Sequence, residues 1–330
     1  MPAVEVAGEF ETIRTLLRPL AHPDHALGLM DDVAVLPSRP GYDLILTKDA
    51  VVEGVHFLAD DPLDTVAQKL LRVNLSDLAA KGAEPFGYLL ACHWSARCGW
   101  SEREGFVAGL ARDQETFGIH LLGGDTVRTP GPASFSATML GWVPKGETTL
   151  RRGARPGDAV YVTGTIGDGR LGLQAAQGHL SLEPERVDAL AEQYRRPVPR
   201  LAFGQAVRGM ATSGVDISDG LIADLGHVAA ASGVGIALQL ESTPLSAAAH
   251  AWFDRRTDPL AALQDLATGG DDYEVAITLN PLEEAAVKRE AERLHLRLTR
   301  IGQVTAGSGV SVTYLGQPVA IGRAGWTHDR

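Results

Sequence analysis

The sequence predicts a two-domain protein that combines α/β and α+β architecture. Three observations carry that prediction. The chain has 330 residues, more than one hydrophobic core usually serves. Apolar runs alternate with helical patterns along its length. The stretch from Pro144 to Asp158 is rich in Gly, Pro and charge, which places a domain boundary there, with domains 1–147 and 148–330.

The elements follow in order. Glu9 to Leu20 reads as an amphipathic helix, with Phe10, Ile13 and Leu17 at helical spacing. Val33 to Leu36 and Leu44 to Thr47 read as short strands. Pro62 to Lys81 is the clearest helix: Asp61 can cap it, Pro62 suits its first turn, and Gly82 ends it. A second helix is expected over Glu102 to Phe117, then strands at Ile119 to Leu122 and Phe135 to Val143. The second half restarts with a strand at Ala159 to Thr163. Helices are expected at Leu171 to Ala176, Glu183 to Tyr194, Leu201 to Ala211 and Leu221 to Ala231. Strands close the pattern at Gly235 to Leu240, Glu274 to Thr278 and Ile301 to Val304. Gly123-Gly124-Asp125 and Gly269-Gly270-Asp271 read as matching turns, a hint of two related halves.

Composition narrows the function. Formal net charge is −11, from 41 acids against 30 bases. A generic nucleic-acid binder needs the opposite sign, since its affinity comes from neutralising phosphates. The acidity serves solubility, or some of the acids hold divalent metal. The two cysteines, Cys92 and Cys98, exclude a disulfide framework and make a poor zinc pair beside His93. The N-terminus lacks a signal-peptide pattern, and no window has the ~20 consecutive apolar residues of a membrane helix, so a cytoplasmic protein is expected.

The acids cluster at the ends of apolar runs: Asp31-Asp32, Asp49, Asp125, Asp216 with Asp219, and Asp271-Asp272. Any one cluster alone reads as a turn or a helix N-cap. Five together point to a site, because α/β folds assemble sites at strand ends. Asp77 shares a helical stripe with Val66, Leu70 and Val73. A carboxylate there is costly to bury without a cation or several donors, and near a helix C-terminus it opposes the dipole. It either escapes to solvent or takes a metal or buried hydrogen-bond role. There is no Gly-x4-Gly-Lys-Ser/Thr sequence, so a P-loop enzyme is not expected. Gly164 to Gly169 lies between a strand and a helix, where it can cradle phosphate or form a plain tight turn. Arg151, Arg152 and Arg155 can clamp a phosphate, or be ordinary charges on an exposed linker. No His/Asp or Ser/His pairing suggests acid–base catalysis.

In their order, the motifs resemble thiamine-monophosphate kinase, of the superfamily that includes aminoimidazole ribonucleotide synthetase and selenophosphate synthetase. They include Gly8-Glu9-Phe10, Asp31-Asp32 before Val33-Ala34-Val35-Leu36, and Val52-Glu53-Gly54-Val55-His56-Phe57. Val73-Asn74-Leu75-Ser76-Asp77-Leu78 and Gly123-Gly124-Asp125-Thr126 follow. The second half adds Gly157-Asp158, Asp216-Ile217-Ser218-Asp219-Gly220-Leu221 and Gly269-Gly270-Asp271-Asp272-Tyr273-Glu274.

The resemblance implies a PurM-like fold: an α/β N-terminal domain that builds a barrel with its twin in a homodimer, an α+β C-terminal domain, and an active site in the cleft between the domains. It implies in-line transfer of the ATP γ-phosphate to thiamine monophosphate. Asp32, Thr47, Asp49, Asp77, Asp125, Asp216 and Asp219 would ligate several Mg²⁺ ions. Gly124, Asp125, Arg151 and Ser218 would contact ATP. His56, Asp271 and Trp326 would line the acceptor pocket; without the resemblance, His56 and Trp326 read as packing residues. Three positions depart from the family pattern. Met30 replaces a Gly, Lys48 replaces a Thr, and Asp271 replaces a Glu. The Lys48 ammonium cannot ligate metal, although its backbone carbonyl can. A selenophosphate synthetase-like or aminoimidazole ribonucleotide synthetase-like activity is the alternative, but the N-terminal segment has no reactive Cys. A non-catalytic metal- or nucleotide-binding protein is the third reading; no EF-hand loop supports it.

Overall fold

The computed structural model describes residues 8–327. The chain divides into two units: Met1–Leu78 with Glu84–Gly146, and Ala79–Ala83 with Glu147–Arg330.

The first unit begins with α1 (Glu9–Thr12). The helix then widens into a π turn at Ile13–Leu17 and tightens into a 3-10 turn at Arg18–Leu20. The expected helix Glu9 to Leu20 is therefore helical but not uniform. Pro19 has no N–H to extend the ladder, which ends the regular pitch. Strand β1 (Tyr42–Val52) leads to α2 (Leu63–Ala80), β2 (Glu84–Trp94), α3 (Trp100–Phe117), β3 (His120–Arg128) and β4 (Ser134–Pro144). The sheet order is β1-β4-β2-β3, with β2 and β3 parallel and the other pairs antiparallel. The parallel pair needs a crossover, which α3 supplies. Phe106 of α3 stacks on Phe135 of β4 at 4.3 Å, and Trp94 stands edge-on to both. The opposite face of the sheet is open: Leu44, Leu46, Leu89 and Val127 are exposed.

The second unit runs through β5 (Ala159–Thr163), α4 (Asp168–Ala176), α5 (Pro184–Arg195), α6 (Leu201–Ala206), β6 (Ala211–Asp216) and α7 (Leu221–Ser232). It continues with β7 (Gly235–Gln239), α8 (Ala247–Phe253), α9 (Pro259–Ala267), β8 (Val275–Leu279) and α10 (Glu284–Arg293). Strands β9 (Leu298–Thr305), β10 (Gly309–Tyr314) and β11 (Gln317–Val319) complete it. Its sheet order is β11-β10-β7-β9-β5-β8-β6; only β7 and β10 run parallel. Every residue of β5 and β8 is buried, because both sheet faces are covered. Val160 and Val162 pack with Leu171, Leu190, Leu221 and Leu225. Ala159 and Tyr161 pack with Phe203 and Val287 and with Ala79 and Ala80, which belong to this unit. No helix among the described residues is long and apolar enough to cross a membrane.

Three local expectations are corrected, and one strand carries no local signal. Val33 to Leu36 is not a strand: Val33 and Val35 are each 57% exposed, and the segment's one bond to the neighbouring backbone is Val35 N–H to the His25 carbonyl. The helix expected to Ala211 ends at Ala206, Gly209 turns the chain at φ +73°, and Ala211 opens β6. Gly123-Gly124-Asp125 lies inside β3 and is not a turn. Gly124 has φ +151°, and a Cβ there would overlap the Leu90 carbonyl of the neighbouring strand. Strand β2 escapes a pattern search because Pro85 and Gly87 interrupt it, and the ladder shifts register between them.

Candidate functional site

In the first unit, β1 and α2 bring three of the sequence-predicted residues together. The Thr47 hydroxyl donates to Asp77 Oδ2. One turn earlier on α2, the fully buried Asn74 accepts the Asp49 backbone N–H at 3.0 Å and donates to the Leu70 carbonyl at 2.8 Å. Asp77 is thus half-buried at the end of the apolar stripe, facing β1. Strand alternation sends Lys48 the other way. Its ammonium lies 3.2 Å from Ser136 Oγ on β4, so its charge stands on the sheet face opposite Thr47 and Asp49. The departure at Lys48 therefore leaves the oxygens of Thr47 and Asp49 in place.

Asp32, Gly124 and Asp125 line one cavity of about 420 Å³ with Phe10 and Met30. Asp125 Oδ1 accepts the Thr126 N–H at 2.9 Å. His56 closes a turn after β1: its Nδ1 accepts the Val52 N–H at 3.1 Å, which leaves Nε2 to carry the proton of the neutral ring.

In the second unit, three segments meet at Asp219. Residues 217–220 link β6 to α7, and Asp216 is buried at the end of β6. The 269–274 loop pairs with this link: Asp271 N–H donates to the Ser218 carbonyl and Tyr273 N–H to the Ile217 carbonyl. The C-terminal segment joins them, with Trp326 N–H donating to the Asp219 carbonyl at 2.8 Å. Asp271 and Tyr273 both hold positive φ, at 63° and 51°. Such strain in a Tyr, on the order of 1–3 kcal/mol, gathers at functional loops. The Tyr273 hydroxyl donates to Asp271 Oδ1 at 3.0 Å. The Arg323 guanidinium lies 5.5 Å from the Trp326 ring, which is 49% exposed.

Arg151 sits on an exposed loop tied to the far end of α7. Ser232 accepts N–H bonds from Gly153 and Ala154 at 3.1 and 3.2 Å, and its hydroxyl donates to the Arg151 carbonyl.

Three residues that organise these loops receive no role of their own in the sequence reading. Asn74 is one. Asp224 is the second: Oδ2 accepts the N–H groups of Ser218, Asp219 and Gly220 at 3.0, 3.0 and 3.1 Å. Burial pushes its carboxyl up to about 7, the Asp219 charge adds to the rise, and the three N–H bonds oppose it. Asp219, Asp224 and His227 offer ligand atoms within 4.8 Å of one another. Asp272 is the third. It is 2% exposed and accepts N–H bonds from Gly167 and Gly169 at 2.9 Å. Burial holds its carboxyl well above the ordinary range. The phosphate cradle considered at Gly164 to Gly169 is therefore corrected: the Gly167 and Gly169 amides are spent on the protein's own carboxylate, and those of Gly164 and Ile166 on the Arg297 and Pro244 carbonyls. The available signal was an acid in the first turn of a helix, as at Asp224, which favours the dipole and reaches unpaired amides.

The donor set fits a hard cation. Thr47, Asp49, Asp77, Asp32, Asp125, Asp216 and Asp219 offer only oxygen, the chemistry Mg²⁺ prefers.

The chain matches the N-terminal domain model of AIR synthase related proteins over residues 30–143 and the C-terminal domain model over 155–315. Fold and domain order thus define an AIR synthase related protein. Among its relatives, the thiamine-monophosphate kinase of Caulobacter vibrioides is 51% identical over 328 residues, covering 99% of this chain and 92% of that protein. The Escherichia coli thiamine-monophosphate kinase is 38% identical, covering 98% of this chain and 96% of its own. The chain belongs to the thiamine-monophosphate kinase family. The crystal structure of the Stenotrophomonas maltophilia thiamine-monophosphate kinase matches with a TM-score of 0.80 at 37% identity, over 92% of this chain and 94% of the other. AaThiL complexed with AMPPCP and TMP matches with a TM-score of 0.76 at 30% identity, over 97% of both chains.

Proposed function

We propose that the protein transfers the γ-phosphoryl group of ATP to thiamine monophosphate, yielding ADP and thiamine diphosphate. The observation that carries this reading is near-full-length similarity to thiamine-monophosphate kinases, at 51% identity to one of them. The AaThiL complex with AMPPCP and TMP supports the pairing of substrates.

Two anionic molecules must approach each other. When bound, Mg²⁺ supplies the positive charge that permits it. Asp32, Thr47, Asp49, Asp77 and Asp125 of the first unit and Asp216 and Asp219 of the second would ligate several Mg²⁺ ions by their oxygens. Gly124, Asp125, Arg151 and Ser218 bind the nucleotide. His56, Asp271 and Trp326 bind the acceptor. Trp326 already has a guanidinium near its ring, and a cationic heterocycle suits the same aromatic. The acceptor phosphate is ionised near neutral pH, so attack needs no proton removal and the residues act by positioning and electrostatics. A coupled assay of ADP release tests the reading: turnover is expected with thiamine monophosphate and Mg²⁺, and none with free thiamine. Turnover on thiamine alone would overturn the acceptor assignment.

Ser232 holds the Arg151 loop without touching substrate in this scheme. Ser232→Ala is expected to raise KM for ATP several-fold while kcat and KM for the acceptor stay near wild type, as initial-rate kinetics would show.

We further propose a homodimer that buries the open face of the four-stranded sheet. Leu44, Leu46, Leu89 and Val127 form an apolar surface there. Leu46→Asp is expected to convert the dimer to monomer in sedimentation or light scattering. A cytoplasmic setting agrees with two buried cysteines that remain free thiols.

A further inference from the structure

We infer that Asp224 is a positioning residue: it fixes the metal-binding loop through that loop's own amides and does not ligate metal itself. The inference rests on the proposed role of Asp219. Ser218, Asp219 and Gly220 are consecutive, and all three N–H groups converge on one oxygen, Asp224 Oδ2, at 3.0 to 3.1 Å. Consecutive amides turned to one side form a nest that attracts an anion. Here the anion is built in, from the first turns of the helix that follows.

The consequence is directional. With three successive amides drawn to Asp224, the backbone of Ser218 and Asp219 has no freedom to rotate. Their side chains are held where they stand, and the Asp219 carbonyl is left to take the Trp326 N–H at 2.8 Å. Asp224 is 1% exposed, so it pays to sit there only with its amides in place. Its second oxygen, Oδ1, is buried without a hydrogen-bond partner. That orphan distinguishes the two roles Asp224 can play. A carboxylate that ligates metal contributes its negative charge to the ion. A holder of amides needs only one acceptor oxygen. Asn supplies that acceptor and places its amide nitrogen where the unpartnered oxygen lies.

Removing a group that orients ligands typically costs about 10–100-fold in metal affinity or activity. Asp224→Ala is therefore expected to raise the Mg²⁺ concentration for half-maximal activity, and lower kcat, by about that factor. Asp224→Asn should stay near wild type in both, whereas Asp219→Asn should not. The same proteins are to be titrated with Mn²⁺ followed by electron paramagnetic resonance, which reads the loop whatever the substrate is. Weakened Mn²⁺ binding in Asp224→Ala, with binding kept in Asp224→Asn, supports the inference. Three outcomes overturn it: equal loss in Asn and Ala variants, wild-type binding in Asp224→Ala, or no Mn²⁺ binding in the wild type. If Asp224→Ala does not fold, Asp224→Asn against Asp219→Asn decides alone: loss in both contradicts it. Absence of turnover with normal Mn²⁺ results would sink the acceptor assignment and leave this inference standing.

Discussion

Asp77→Asn and Asp219→Asn are each expected to lose at least about 100-fold in kcat, some 2.7 kcal/mol of transition-state stabilisation, while remaining folded. The side chains differ in setting but share the proposed role of metal ligand. Asp77 ends the buried stripe of α2 and receives the Thr47 hydroxyl. Asp219 sits in a loop whose backbone is held from three sides, by Asp224, by Ser218's bond to the 269–274 loop and by Trp326. Neither contributes an apolar surface to a core, so amide for carboxylate keeps shape and removes charge. The loss should persist at saturating thiamine monophosphate and ease in part at high Mg²⁺. Circular dichroism and thermal melts should overlay wild type. Near-normal turnover in both variants would remove the metal roles.

The second large effect is on stability. Glu274→Ala is expected to destabilise the second unit by about 3–5 kcal/mol, because it strands a partly buried cation. Glu274 is 2% exposed and takes a two-pronged ion pair from Arg200, with Arg200 Nε to Oε2 at 2.6 Å. Thr163 donates to the same oxygen at 2.7 Å and accepts the Val275 N–H at 2.8 Å, which ties the end of β5 to the start of β8. The change removes the ion pair and the Thr163 bond to the carboxylate at once. A melting midpoint lowered by on the order of 10 °C is expected by calorimetry. Arg200→Ala with Glu274→Ala should cost less than the sum of the single changes, since the stranded charge goes too. Additive losses would contradict the ion-pair account.

Much of this was legible in the residues. Helix α2 announced itself by its apolar stripe and by the glycine that ends it. Strand β5 was plain because an unbroken apolar run suits a strand covered on both faces. Asp77 stood out as a carboxylate in line with Val and Leu, and it is half-buried against β1. What stayed hidden was set by tertiary pairing. Strand β2 carries Pro85 and Gly87, which break local alternation but fit a register shift against β4. Val33 to Leu36 has the composition of a strand, yet among the described residues a single backbone bond holds it, to His25. Gly123-Gly124 looked like a turn because glycine permits one; the close approach of the Leu90 carbonyl is what requires it. The roles of Asp224 and Asp272 were hidden for another reason. Their partners are backbone amides, which leave no trace in side-chain spacing.

The most direct measurement follows the label from γ-labelled ATP incubated with the protein, Mg²⁺ and thiamine monophosphate. The account requires label in the terminal phosphate of thiamine diphosphate, in step with ADP formed. Label released only as inorganic phosphate, or carried by any acceptor other than thiamine monophosphate, would contradict it.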